Sequence, residues 1–252
     1  MRLVWTLLAA LVAAEICYPL TTGAVRAALV VVTVLLGFAA SLAHAITARG
    51  ARAGAALLGV AAAGFAVELL GVRTGVPFGG YDYAASLGPQ LGGVPLLIGL
   101  AWAWMAWPAW LAAGRLVTGR SVRAGVARVV VAAVALAAWD LFLDPQMVAD
   151  GHWVWHDPDP ALPGVTGVPL GNYLGWLLVA LIVATGLTVA LGHARPSATD
   201  APMLALYLWT YASSVLAHAA FLSLPASAAW GALGMGLVAV PLAISWRRGA
   251  TP

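Results

Sequence analysis

Four ionisable residues stand inside otherwise apolar runs of this 252-residue chain: Glu15, Glu68, Asp140 and His218. A charged group within a bilayer costs at least about 2.5–3.5 kcal/mol on the insertion scale, so such residues mark functional sites by default. Burial disfavours the anion, so a carboxyl group in a dry apolar setting can hold a proton ready near neutrality. Glu68 and Asp140 are therefore the leading candidates for acid–base chemistry. The competing reading ties them structurally to Arg73 or to a hydroxyl on a neighbouring helix. Asp144 follows Asp140 by four residues and shares its helical face, and Glu15 and Tyr18 share a face at a spacing of three. Because Asp144 precedes Pro145, a turn-forming role competes evenly with a functional one. Asn172 opens a later apolar run. Tyr81 and Tyr83 alternate in a Gly/Pro-rich loop, and both point inward only if that loop is extended like a strand. Interface anchoring is their bland alternative.

Other chemistries find less footing. His152 and His156 are four residues apart among Trp, Pro and Asp, in a loop and not on a clear helix. His44, His193 and His218 are isolated, so no metal is expected and no cofactor is called for. There is no nucleophile elbow, no phosphate-binding loop and no dinucleotide fingerprint. The single cysteine, Cys17, lies in an apolar run and reads as a small buried hydrophobe.

The chemistry needs elements to carry it, and composition says which. The chain is 63% hydrophobic and only 8% charged, against about 25% charged in soluble domains. We read it as an all-α integral membrane protein, one polytopic domain over residues 1–252. Its twelve cations are all arginine, and they read as topology signals, not as a nucleic-acid surface. A span needs roughly 20 mostly apolar residues, and eight stretches qualify, at about 3–20, 24–47, 53–72, 93–114, 125–143, 171–192, 202–221 and 226–246. The first imitates a signal peptide, but Glu15 interrupts its apolar end and no small-residue cleavage site follows, so it reads as a retained helix.

Placing the N-terminus inside puts ten of the twelve arginines on the inner side and only Arg26 and Arg73 outside. Both termini are then cytoplasmic. Glu15, Glu68, Asp140 and His218 fall in the last third of odd-numbered helices, hence at one depth in the outer half, where Asn172 joins them. Runs of Ala and Gly predict closely approaching helices. Trp102, Trp104, Trp107 and Trp110 read in part as an interfacial belt, with Trp102 too deep for it and available to line a ligand groove.

Five motifs run in order along the middle of the chain: E-x6-G-x-P-F-G-x-Y-x-Y from Glu68 to Tyr83, L-G-P-x-L-x-G-V-P from Leu87 to Pro95, W-D-L-x-L-D-P-x-M from Trp139 to Met147, G-x-W-x-W from Gly151 to Trp155, and G-V-P-L-x-N-Y-x-G-W from Gly167 to Trp176. In these the sequence resembles the bacterial and archaeal carotenoid biosynthesis membrane proteins, which include bisanhydrobacterioruberin and gamma-carotene hydratases. The resemblance is strong over roughly residues 60–180. The acidic, Pro-rich loop between Trp155 and Gly167 departs from the pattern, and His152 and His156 match no motif position.

The resemblance implies a multi-pass protein of a bacterial or archaeal cell membrane. It implies a cofactor-independent hydro-lyase that adds water to a terminal C=C of a linear carotenoid. Protonation of the alkene gives a tertiary carbocation, which water then captures. Under this reading Glu68 or Asp140 donates the proton, and Asp144 and Asn172 position water. Tyr81 and Tyr83 line the cation site, with Glu15, Trp102, Trp139 and His218 around the substrate. The expected partners are a long apolar carotenoid and membrane lipid, and no nucleic acid. A non-catalytic carotenoid- or lipid-binding scaffold for other pathway enzymes is the alternative. A proton-coupled transporter ranks last, since no inverted repeat is visible and the acids crowd one side.

Overall fold

The computed structural model describes residues 1–249. Nine α-helices are arranged as eight rods among the described residues: α1 (Arg2–Cys17), α2 (Gly23–Arg49), α3 (Ala51–Thr74), α4 (Leu97–Leu116), α5 (Val122–Ala137) running on into α6 (Asp140–Ala149), α7 (Leu170–Leu191), α8 (Ala201–Ala220) and α9 (Pro225–Gly249). Seven stretches are long and apolar enough to cross a membrane, with α5 and α6 counted as one of 28 residues. The eighth rod, α8, has the length, but Tyr207, Trp209, Tyr211, Ser213, Ser214 and His218 dilute its apolar character.

The most buried element is α4, which packs against α2, α3, α5, α7, α8 and α9. Trp104, Trp107 and Trp110 are therefore core residues, each 5% exposed or less, and not the interfacial belt suggested by their clustering. Small residues on the neighbours admit these rings. A Cβ on Gly64 of α3 would lie 2.7 Å from the Cβ of Trp102.

Three prolines lie inside helices, Pro108 in α4, Pro145 in α6 and Pro241 in α9, and the first two bear on the site. Proline has no N–H for the carbonyl four residues back, here those of Trp104 and Leu141. Serines from other helices supply the missing donors. Ser41 of α2 donates to Trp104 O (3.0 Å) and Ser227 of α9 donates to Leu141 O (2.7 Å). With that support α6 continues past Pro145 to Ala149, so Asp144–Pro145 is helical and not the turn that the dipeptide suggests. The helix expected over 125–143 breaks instead at Ala138–Trp139, which puts Asp140 at the first position of a new helix.

Two long connections close one end of the bundle. The α3–α4 connection contributes β1 (Tyr81–Tyr83), β2 (Gln90–Leu91) and β3 (Val94–Pro95), and the α6–α7 connection contributes β4 (Trp153–Trp155). β1 pairs antiparallel with β4, Tyr81 opposite Trp155 and Tyr83 opposite Trp153, while β2 pairs with β3. Trp155 Nε1 donates to Phe78 O at 2.9 Å, tying the two connections together. At the same end Arg26 of α2 pairs with Asp150 at 2.9 Å, and the Tyr18 hydroxyl donates to the same carboxylate. The other end is held by Arg49 and Asp200, 2.6 Å apart. Cys17 is exposed on α1. The buried position expected for it is not found, because a small apolar side chain is equally at home on the outer face of a membrane helix.

Candidate active site

Glu68 is the best-connected carboxyl in the molecule. It sits in the penultimate turn of α3 and is 4% exposed. Its Oε2 accepts from the Tyr81 hydroxyl at 2.5 Å and the Tyr83 hydroxyl at 2.8 Å, and its Oε1 accepts from Trp102 Nε1 at 2.8 Å. The strand alternation of β1 puts both tyrosines on one face, and pairing with β4 fixes that face toward the bundle. Burial pushes both tyrosine hydroxyls up, and the nearby Glu68 carboxylate adds to the effect, so they stay O–H donors. Trp102 stacks on Trp176 of α7 with ring centroids 3.8 Å apart, and Trp139 meets Trp176 edge-on at 6.1 Å.

A second cluster faces it from α6 and α7. Asn172 Nδ2 donates to Asp140 Oδ2 at 2.8 Å and also to Asp144 Oδ2. The i, i+4 spacing on α6 brings the two aspartates to one amide. Both are buried, and Asp140 Oδ1 has no partner among the described residues. No cation reaches either aspartate or Glu68 among the described ion pairs. Position on α6 is maintained from outside: Ser227 satisfies the Leu141 carbonyl, and His218 lies 2.9 Å from Ser227 Oγ and 3.0 Å from Gln146 Oε1.

Both clusters open onto one cavity of about 140 Å³. Glu68, Asp144, Asn172, Tyr81, Tyr83, Trp102 and Trp139 all line it, and Trp153, Trp155 and Phe78 close it on the loop side. Asp140 does not line it. Glu15 does, from the α1 side, where its Oε2 accepts from Trp209 Nε1 at 2.5 Å. His218 is fully buried and does not line the cavity; it touches the lining residues Gln146, at 3.0 Å, and Phe142, edge-on. The loop histidines are occupied elsewhere. His156 pairs with Asp82 at 2.8 Å, and His152 meets Ser86 at 2.7 Å, its ring kept neutral by burial. Among the described residues no group of three potential metal ligands forms.

Sequence reasoning missed Trp176, Trp153 and Trp155 as wall residues. The signal was present, since all three fall within the motifs ending at Trp155 and Trp176. It also missed Gln146, Ser227 and Thr210, whose importance depends on helices that meet only in three dimensions.

A model of the carotenoid biosynthesis protein family matches residues 29–242. A bisanhydrobacterioruberin hydratase of Haloarcula japonica is 37% identical over 128 residues, 50% of this chain and 42% of the relative, so the match spans less than half of that protein. No solved structure matches the chain.

Proposed function

From its membership of the carotenoid biosynthesis protein family, to which the chain belongs by the match over residues 29–242, we propose that it adds water to a terminal C=C of a linear carotenoid. The observation that carries the reading is the pairing, across one aromatic-walled cavity, of a donor-saturated carboxylate with a cation-free pair of aspartates. The moderate identity to a named hydratase over half the chain supports the reaction class.

The two clusters suit opposite halves of the reaction. Glu68 accepts three hydrogen bonds at the cavity wall, which hold its carboxyl in place to receive a proton from water. Asp140 and Asp144 share a single amide, and two adjacent buried anions without a cation are costly, so the pair is suited to carry a proton. Asp144, the member lining the cavity, gives that proton to the terminal alkene carbon. The electron pair of the C=C forms the new C–H bond and leaves a tertiary carbocation. Trp102, Trp139 and Trp176 present aromatic surface to this cation, worth about 2 kcal/mol or more when desolvated. Water adds to the cation, and its surplus proton passes to Glu68. Return of that proton to the aspartates restores both clusters, so no cofactor is consumed. A cavity of about 140 Å³ takes an isoprenoid end group and not the whole polyene. The arginine distribution supports a cavity at the outer face of the membrane, with both termini inside.

The test is expression in a bacterium that accumulates lycopene, with pigments read by chromatography and mass spectrometry. A product heavier by one water supports hydration. Unchanged pigment, with the protein verified in the membrane and offered both lycopene and its longer-chain relatives, contradicts it. Carotenoid co-purifying unchanged would then favour the binding scaffold.

A further inference from the structure

The cavity has a second polar wall that the carboxyl clusters do not use. It is built from α1, α2 and α8, with Glu15, Thr33, Thr210, Ser213 and Ser214 lining it. Thr210 is 3% exposed, and neither its Oγ1 nor the buried Oγ1 of Thr33 has a hydrogen-bond partner among the described residues. Threonine inside a helix ordinarily satisfies its hydroxyl on the carbonyl of the preceding turn. These two do not, and they are level with each other. Ser41 Oγ of α2 lies 3.8 Å from Met203 Sδ of α8, and Arg49 at the end of α2 pairs with Asp200 at the start of α8, so the two helices run in opposite directions. About two turns toward the site end from that contact lie Thr33 on α2 and Thr210 on α8. Trp209, beside Thr210, donates to Glu15 at 2.5 Å, bringing α1 to the same level.

We infer that this wall is a second oxygen-binding subsite, in which the Thr33 and Thr210 hydroxyls, beside Glu15, hold one hydroxyl-sized group. Buried hydroxyls without a partner cost free energy, so they are retained against stability unless a ligand satisfies them. Both can donate and accept, which suits an alcohol or a water molecule, and the Glu15 carboxyl on the same wall disfavours an anion. The oxygen comes from one of two sources: a hydroxyl carried by the carotenoid, or the water to be added. The inference rests on the hydration reading for its substrate, though not for the existence of the subsite.

The experiment is the double variant Thr33→Val/Thr210→Val, which keeps side-chain shape and removes only the hydroxyls. Wild type and variant are assayed on lycopene and on a monohydroxylated lycopene, with thermal unfolding measured alongside. The subsite predicts unchanged or raised thermal stability together with a loss of conversion on the order of tenfold. A loss confined to KM for the hydroxylated pigment identifies a substrate hydroxyl. An equal loss in kcat on both pigments identifies the water. The double Ser variant should restore either. Unchanged conversion, or a loss that merely follows a fall in stability, overturns the inference. If wild type converts neither pigment, the hydration reading fails, and retention on purification decides the subsite. Better retention of the hydroxylated pigment by wild type than by the variant supports it, and equal retention overturns it.

Discussion

Replacing Glu68 by glutamine separates chemistry from architecture at this site. Trp102 Nε1 can only donate, so the glutamine oxygen must take its place opposite Trp102, 2.8 Å away. The glutamine NH2 then faces the Tyr81 and Tyr83 hydroxyls at 2.5 and 2.8 Å. Hydroxyls accept as readily as they donate, so both tyrosines turn over and every hydrogen bond is remade. Thermal stability should therefore change by less than about 1 kcal/mol. What disappears is the ability to take a proton from water, and a general base is typically worth about 10²–10⁴-fold in rate. Glu68→Ala is the control, since it leaves three buried donors facing nothing at about 1–3 kcal/mol each. The assay is conversion of a linear carotenoid by membranes containing equal amounts of each protein, read by chromatography. Glutamine should abolish turnover at wild-type stability, whereas alanine should lower both. Wild-type turnover by the glutamine variant would refute the role given to Glu68.

Three further outcomes follow from the same geometry. Asp144→Asn should lose conversion by about 10²-fold or more, as should Asp140→Asn, and the double variant should be little worse than either, because the pair acts as one acid; additive losses, seen in the same pigment assay, would count against a shared proton. Ser227→Ala leaves the Leu141 carbonyl without its donor and should cost about 1–3 kcal/mol in thermal unfolding, and adding Pro145→Ala should recover much of it by restoring the helix N–H. Gly64→Ala places a Cβ 2.7 Å from that of Trp102 and should cost about 1–3 kcal/mol while disturbing the Trp102–Glu68 hydrogen bond, visible as reduced conversion beyond the loss of folded protein.

The buried acids were legible because a carboxyl in an apolar run has few innocent explanations. Glu68, Asp144 and Asn172 do meet at one cavity, and Tyr81 and Tyr83 do lie on an extended segment facing inward. That extension, however, depends on a partner strand at Trp153–Trp155 that local sequence does not announce. Pro145 illustrates why other features stayed hidden. Taken locally it ends a helix, but a serine on α9, far along the chain, supplies the missing donor and the helix continues. The break at Ala138–Trp139 carries no Gly or Pro to signal it. The tryptophans of α4 looked like a belt because aromatic residues suit both an interface and a core, and only the central position of that helix decides between them. Cys17 fails in the opposite sense, since lipid and protein interior are similar solvents for a small apolar side chain.

The most direct test of the central claim is the origin of the product oxygen. Membranes containing the protein are given a linear carotenoid in water labelled with heavy oxygen, and the product is examined by mass spectrometry. Hydration predicts a pigment heavier by one water whose oxygen carries the label and whose formation is lost in Glu68→Gln. An oxygenated product without the label, or the same labelled product from the Glu68→Gln variant at wild-type rate, would contradict the account.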